Sequence, residues 1–478
     1  MLGTLGLFGG LFTAWWALLW WVLPVSWQTI SPSALLMLHL LPPIGIGAAW
    51  HSWRWWQARK EQAATAAAAE SAEAERAAQR AAARDKHYQQ LAARQQTLPC
   101  RGVWAHVLAT RDEPSWLHEL PDGCFWQTQL PDEIDDDLSW PDALAHQLVS
   151  LLSEVYALAP GAAWLPHLYE AHPEIEGREQ LEIYRRAQQS TAEGQLFDEP
   201  HEADCRFLPG SGAIAERVQQ VLQQNPHWPG VLICAVDSPY IAQQALDEWD
   251  EPSEAQIELA RWEGAPGQAS IALLFLRDML PEPQTTDSGA PQSAVDPYTP
   301  YWEKQATYGD ERWGRVPTSW QSSLYELPVV GLLCPAQEGE LSEKSVMQAS
   351  RQVQHLLAEA LLDAALRDYP FSSEDAEPAK DCAEQIAWLV HNSGDADVGG
   401  TRLAALSTAL HYFGISLNPI DEASNSVRDW GNVGCCRGLL HSALVLTHSA
   451  RLQAPAVLGH FATERITISV GKPTEVNA

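Results

Sequence analysis

Residues 229–238, PGVLICAVDS, decide the fold of this chain. A Pro-Gly turn leads into a continuous apolar run, and Asp237 and Ser238 end it. Such a run between turn signals is typical of a strand that is covered on both faces. Residues 213–224, just before it, have the apolar spacing of a helix, and residues 268–276, QASIALLFL, predict a second buried strand. This alternation predicts layers of helices and strands, an α/β fold.

The same alternation continues toward the C-terminus. We expect strands at residues 328–333, 385–390 and 465–470, and helices at residues 345–367, 402–413 and 433–448. Residues 98–203 are less regular, and their prolines and tryptophans predict irregular α+β structure packed on the α/β core. The whole pattern favours an α/β body.

The N-terminal region has a different composition, because no charged side chain occurs between Met1 and Trp53. Two apolar runs, residues 5–25 and 34–50, each approach the ~20 residues that a helix needs to cross a bilayer. We expect a transmembrane hairpin, since helices pair their own backbone groups in lipid. The second run contains His39 and two prolines, so a re-entrant or interfacial segment is the alternative. A cleaved signal peptide would have a charged start and a small-residue cleavage site, and neither is evident.

The first charges after these runs are Arg54, Arg59 and Lys60. The positive-inside tendency places them in the cytoplasm, so we expect a membrane protein with a cytoplasmic body. Residues 57–96 are rich in Ala, Glu, Arg and Gln and contain neither Pro nor Gly, which predicts a solvated helical stalk. A coiled-coil dimer is the alternative for this stalk.

The net charge of −31 limits the class of partner. Acidic clusters at residues 132–137, 247–251 and 374–377 repel phosphate backbones, so we expect no nucleic-acid binding. The eight cysteines have no paired metal-ligand spacing and should stay reduced in the cytoplasm. We expect no metal and no cofactor.

Four phrases carry a resemblance to a known superfamily. They are GVLICAVDS (residues 230–238), APGQASIALL (265–274), VHNSGD (390–395) and GNVGCCRG (431–438). In this order they resemble phrases of the thiolase-like (ketoacyl synthase-like) superfamily, over residues 207–470. The resemblance implies a two-halved, layered α/β/α body.

The resemblance also implies a catalytic set that this chain does not match. Enzymes of the superfamily use a cysteine thiolate at a helix N-terminus, with two histidines or a histidine and an asparagine. The matching interval leads to Ser211 and its two flanking glycines, while Cys205 lies several residues earlier. The histidine phrase carries His391, and the second position holds Asn432, which cannot relay a proton. We therefore expect a pseudoenzyme in which Ser211, His391 and Asn432 are vestigial or structural.

Composition and resemblance together predict five segments. They are a transmembrane hairpin (1–53), a helical stalk (54–97), a first thiolase-like half with an N-terminal elaboration (98–280), a linker or insertion (281–320) and a second thiolase-like half (321–478). The linker is predicted from its Pro, Ser, Thr, Asp and Gly content.

This arrangement is similar to that of adaptor proteins encoded beside type VI secretion lipase effectors. The resemblance implies a non-catalytic inner-membrane adaptor that binds a secreted phospholipase effector and delivers it to the secretion machinery. Interface cores favour Trp and Tyr, so the candidate binding residues are Trp249, Trp302, Trp313, Trp320 and Tyr325. Ordinary core packing is the alternative for each of them.

A second function remains open at this stage. A membrane-bound thiolase-like acyltransferase or acyl-thioester-binding protein would need a pocket where Ser211, His391 and Asn432 converge. A homodimer through the thiolase-like core is a third expectation, because dimers are usual in that superfamily.

Overall fold

The structure is a computed structural model that separates into two units, Met1–Gln89 and Gln90–Ala478. It describes residues 2–22, 31–108, 113–128, 139–196, 203–240, 253–283, 310–341, 345–367, 383–394, 400–462 and 465–474.

Two helices begin the chain, α1 (Leu2–Val22) and α2 (Pro32–Arg94). The second apolar run and the predicted stalk form one continuous helix, α2, and Pro42 and Pro43 lie inside it without ending it. By length and composition α2 is the one helix among the described residues that is able to cross a membrane, with a mean hydropathy of 1.5 in its apolar window. Within α1, Phe8–Val22 forms a shorter apolar helical segment. The chain thus has one long apolar N-terminal helix.

The prolines of α2 explain how it pairs with α1. Pro42 has no backbone N–H, so the carbonyl of Leu38, four residues earlier, lacks its helical donor. The indole Nε1 of Trp15 in α1 donates to this carbonyl at 2.9 Å. The ring of Phe8 lies 2.4 Å from where a side chain at Gly47 would begin, so this glycine allows the two helices to approach closely. Together these contacts join α1 and α2 as a helical hairpin.

The second unit is built on one mixed sheet, which has twelve strands in the described part of the chain. In chain order they are β1 (Leu98–Val107), β2 (Cys124–Gln127), β3 (His167–Tyr169), β4 (Cys205–Phe207), β5 (Gly230–Asp237), β6 (Ala269–Leu276), β7 (Gly331–Leu333), β8 (Gln337–Glu340), β9 (Trp388–His391), β10 (Ala423–Asn425), β11 (Ala456–Phe461) and β12 (Arg465–Lys472). The order across the sheet is β10-β9-β11-β12-β7-β1-β6-β5-β3-β4, with β2 beside β1 and β8 beside β12.

Helices cover this sheet in layers. They are α3 (Trp140–Leu158), α4 (Gly177–Leu196), α5 (Ile214–Gln224), α6 (Glu254–Glu263), α7 (Thr318–Tyr325), α8 (Val346–Asp363), α9 (Gly400–Tyr412), α10 (Ser426–Trp430) and α11 (Arg437–Leu452). One core cluster joins α5 and α11 to strands from both ends of the sheet. A second contains residues of α3 and α4, and a third contains residues of α8 and α9. The predicted layered α/β class is confirmed.

The strands predicted at residues 229–238 and 268–276 are β5 and β6, and every residue of both is buried. The helix predicted at residues 213–224 is α5. The strands and helices predicted toward the C-terminus are also present, although α11 begins at Arg437 because a 3-10 turn, Gly434–Cys436, precedes it.

One expectation about the first part of the body is wrong. Residues 98–203 do not merely pack on the core, because β1 pairs with β6 on one side and β7 on the other. Both pairings are antiparallel, and so is the β5–β6 pairing. The strand β1 thereby connects the two halves of the sheet. The buried strand β11 was also not predicted.

Trp15→Phe tests the role of Pro42 in the hairpin. The substitution removes the indole N–H, so we expect it to weaken the α1–α2 pairing by about 1 kcal/mol. In a Pro42→Ala background the effect should shrink, because the backbone N–H at position 42 then bonds the Leu38 carbonyl. Steric trapping of the full-length chain in micelles measures both values, with Trp16→Phe as the control. Equal losses in the two backgrounds would contradict this pairing.

Candidate functional site

A cavity of about 270 Å³ lies at the N-terminal end of α5. Its lining includes Ser211, Cys334, His441, His460 and Arg465. Ser211 precedes α5, His441 lies on the second turn of α11, and the other three come from β11, β12 and the end of β7. The strand residues of the cavity therefore come from the β11, β12 and β7 side of the sheet, and α5 and α11 contribute the rest of its lining.

The two histidines of the cavity are neutral near pH 7. Nε2 of His441 lies 2.8 Å from the hydroxyl oxygen of Ser426, and its ring centroid is 4.9 Å from that of His460. Burial lowers the pKa of His460 to about 4. Burial also holds the pKa of His441 well below its usual 6.5, and the neighbouring His460 and Arg437 add to this effect. Both rings are thus able to exchange hydrogen bonds without carrying charge.

The thiols in the described part of the body have raised pKa values. Cys334, which lines the cavity, is fully buried, and burial raises the pKa of its thiol to about 12. The other described cysteines also have raised pKa values: Cys100, Cys124, Cys205, Cys234, Cys435 and Cys436. Burial is the largest cause of the raised pKa for all of them except Cys435, for which the hydrogen bond with Cys436 is the largest cause. Cysteine catalysis needs the opposite, a lowered pKa that yields a thiolate.

The structure does not bring the three predicted vestigial residues together in this cavity. Ser211 lines it, but His391 and Asn432 do not. His391 lies at the end of β9, where its Nδ1 is 3.0 Å from the hydroxyl oxygen of Ser393. The pocket that the acyl-transfer alternative would need, with Ser211, His391 and Asn432, is therefore not this cavity, which contains Ser211, His441 and His460.

Asn432 is held elsewhere by its own hydrogen bonds. Its Nδ2 donates to Oε2 of Glu263 at 3.1 Å. Its Oδ1 accepts from the backbone N–H of Gly434 at 3.0 Å and from the guanidinium of Arg437 at 2.9 Å. These partners use both ends of the amide. Asn432 therefore fixes the turn before α11, which is the structural role that the sequence left open.

Sequence reasoning missed His441 and His460. His460 had a usable signal, because it is the only titratable residue in the apolar strand β11, AVLGHF. Burying a polar side chain in such a run costs free energy, so a histidine there indicates a structural or functional role. His441 had a weaker signal, one histidine four positions after the start of a buried helix.

Hydrogen bonds join three of the four quoted phrases at the turn before α11, where Asp237 is one of the partners. This buried side chain accepts a hydrogen bond from the backbone N–H of Cys435, and its Oδ1 lies 2.9 Å from Nε2 of His172. The backbone N–H of Asn432 donates to the carbonyl of Ala265 at 2.7 Å, and that of Gly267 donates back to the carbonyl of Asn432 at 2.8 Å. The phrases thus build a structural joint between β5, β6 and α11.

The predicted binding residues have different surroundings. Trp313 is buried, with 1% exposed, and its indole N–H donates to the carbonyl of Pro281 at 3.1 Å. Its prediction as a surface residue is therefore wrong, because the ring fills the core. Trp320 is partly buried and stacks on Trp164 with 5.9 Å between ring centroids, whereas Tyr325 is 37% exposed. Trp249 and Trp302 lie outside the described residues.

No family model matches this chain, and no curated protein matches it. Among solved structures it is similar to the dimeric peroxisomal thiolase of Saccharomyces cerevisiae, with a TM-score of 0.41, 9% identity and coverage of 80% of this chain and 98% of that one. It is similar to an acetyl-CoA acetyltransferase from Syntrophomonas wolfei, with a TM-score of 0.42, 9% identity and coverage of 79% of this chain and 98% of that one. It is also similar to 3-oxoacyl-(acyl carrier protein) synthase III from Pseudomonas aeruginosa PAO1, with a TM-score of 0.36, 14% identity and coverage of 79% and 98%. The activities in these names belong to those proteins.

His391→Gln tests the buried imidazole at the end of β9. Burial lowers the pKa of His391 to about 4 from its ordinary 6.5. The folded state therefore favours the neutral ring, so its contribution is present above pH 6.5 and is lost as the pH falls toward 4. With about 1.4 kcal/mol per pKa unit, this is about 3 kcal/mol.

We expect the melting temperature of His391→Gln to fall less between pH 7 and pH 4 than that of the natural protein. The measurement is thermal unfolding of the full-length chain, followed by circular dichroism. His411→Gln, which changes an exposed histidine on α9, is the matched control. A parallel pH profile for His391→Gln and the natural protein would contradict the assignment.

Two glycines of one phrase offer a second test. Gly434 has a φ of +53°, and a side chain there would begin 1.9 Å from Oδ2 of Asp237. Gly434→Ala should therefore destabilise the body by about 2 kcal/mol or more. Gly438, inside α11, has its nearest neighbour at 3.6 Å, so Gly438→Ala should be neutral or stabilise by up to about 1 kcal/mol. Thermal unfolding compares the two, and similar effects would count against the Asp237 joint.

Proposed function

We propose that this chain is a non-catalytic adaptor of the bacterial inner membrane. Its thiolase-like body binds a secreted phospholipase effector in the cytoplasm and delivers it to the type VI secretion machinery. The observation that carries the non-catalytic part is the state of the thiols, because all seven described cysteines have raised pKa values.

The raised pKa values make the fraction of reactive thiolate very small, which favours recognition over catalysis as the function of the body. A thiol with a pKa of about 12, such as that of Cys334, is ionised in roughly one molecule in 10⁵ at pH 7. Ser211 offers no replacement, since it has no hydrogen bond to a histidine among the described residues. Without an adjacent base a serine hydroxyl is a weak nucleophile. The cavity therefore favours binding over covalent chemistry.

Exposed apolar side chains support the membrane anchor. In the N-terminal unit, Trp20 is 79% exposed and Trp21 is 84% exposed, while Leu36 and Met37 are 62% and 60% exposed. A large apolar surface of this kind marks a membrane or protein contact, because water covers it at a high cost in free energy. The apolar composition of α1 and of the start of α2 favours lipid as that contact.

A small surface on the body suits the protein partner. We define the Tyr325 patch as Asp278, Met279 and Tyr325. Met279 is 84% exposed and Tyr325 is 37% exposed. Asp278 and Tyr325 both act electrostatically on the guanidinium of Arg101, which places both near one cation. An aromatic and apolar centre with an acidic rim is the composition that interface cores favour.

Site-specific photocrosslinking tests the proposal in the native host. A photoreactive amino acid replaces Tyr325 in the full-length, membrane-bound chain, and mass spectrometry identifies the adduct. We expect a secreted phospholipase. The matched control carries the same group at Tyr412, which is 68% exposed on α9 and outside the Tyr325 patch, and should give no such adduct.

The second candidate, an acyl-thioester-binding protein or acyltransferase, is favoured by the cavity that contains Ser211, His441 and His460. It predicts labelling by an acyl-thioester probe that disappears in Ser211→Ala. Such labelling, together with adducts at Tyr325 that contain no effector, would overturn the adaptor proposal. Effector adducts without probe labelling would support it.

A further inference from the structure

We propose that α2 carries a binding surface for the anionic phospholipid headgroups of one bilayer leaflet. This goes beyond the adaptor proposal in naming a lipid class, and it rests on the membrane anchor of that proposal. The surface, which we name the Trp–cation belt, consists of Trp50, Arg54, Trp55, Trp56, Arg59 and Lys60.

Each cation of the belt lies over the indole ring four residues before it. The guanidinium of Arg54 is 4.7 Å from the ring centroid of Trp50, and that of Arg59 is 4.1 Å from the ring of Trp55. Nζ of Lys60 is 4.6 Å from the ring of Trp56. Residues four positions apart share one face of a helix, so each pair forms within a single turn. The rings thereby hold the three cations at the end of the apolar segment.

The three pairs point in different directions around α2. With about 100° per residue, the rings of Trp50, Trp55 and Trp56 are separated by roughly 100° to 140°. A helix lying flat on a membrane would carry its cations on one face. A belt on all sides instead suits a helix that passes through the headgroup layer, where Trp and basic side chains anchor it.

The cations of the belt have no carboxylate partner in the part of the chain that the structure describes. No ion pair there includes Arg54, Arg59 or Lys60. Trp55 and Trp56 are 57% and 53% exposed, so the described residues leave most of these two side chains uncovered. Their counter-charge is therefore free to come from outside, and lipid phosphates lie at this depth.

The charge distribution along the chain favours anionic lipid over a protein partner. Residues 1–53 carry no charge, and the belt supplies three positive charges before the first acid, Glu61. Residues 90–478 contain 56 Asp and Glu against 23 Lys and Arg, so the body is strongly acidic. An anionic leaflet attracts the belt and repels the body, which selects the belt as the lipid contact.

Electron spin resonance tests the proposal with the full-length chain in bilayers of phosphatidylcholine and phosphatidylglycerol in equal amounts. Spin-labelled forms of the two lipids report which is enriched beside the protein. We expect phosphatidylglycerol to be preferred. The variant Arg54→Gln/Arg59→Gln/Lys60→Gln should lose this preference by about fivefold or more, the ratio that matches about 1 kcal/mol for one cation at an anionic surface.

The matched control is Arg76→Gln/Arg80→Gln/Arg84→Gln, which removes three cations from the same helix outside the belt. It should keep the preference. Equal losses in both triple variants, or no preference in the natural chain, would overturn the belt. Extraction of the natural chain by alkaline carbonate would overturn the anchor itself, whereas an inserted chain without lipid preference would overturn only the belt.

Discussion

The burial of α11 from Leu439 to Ala450 is the constraint on which the body depends. Every residue from Leu439 to Ala450 is buried, so strands must cover this helix on more than one side. Alternate residues of β5 and β6 pack in the cluster of α5 and α11 and in the cluster of α3 and α4, which is why both strands are continuous apolar runs. In the 3-10 turn before α11, the backbone N–H of Cys435 needs an acceptor, and Asp237 supplies it.

The same burial sets the chemistry of the cavity. Desolvation disfavours the charged form of any group, so it lowers the pKa of an imidazole and raises that of a thiol. His460 and Cys334 move in these opposite directions, and both become neutral. Nucleophilic catalysis by a cysteine needs the reverse, a lowered pKa. A cavity that keeps its groups uncharged is suited to holding a ligand or maintaining shape.

The sequence was informative where one physical rule acted alone. The strands β5 and β6 and the helix α5 follow from apolar periodicity, and each was predicted close to its observed bounds. The strand β1 was not predicted, because Pro99, Arg101 and His106 interrupt its apolar run. Only the neighbours β6 and β7 make it a strand. Likewise, the amide nitrogen of Asn432 donates to Glu263, a residue far away in sequence, so no local pattern revealed this hydrogen bond.

The two units solve the problem of unpaired backbone groups in different ways. In the body, sheet pairing and the bond from the Cys435 N–H to Asp237 supply partners across long sequence separations. In the hairpin, Pro42 frees the carbonyl of Leu38, and a side chain, Trp15, supplies the donor. Lipid would leave that carbonyl without water, so the indole bond gives the two helices a preferred register. A proline that weakens a helix in water therefore specifies its partner in an apolar solvent.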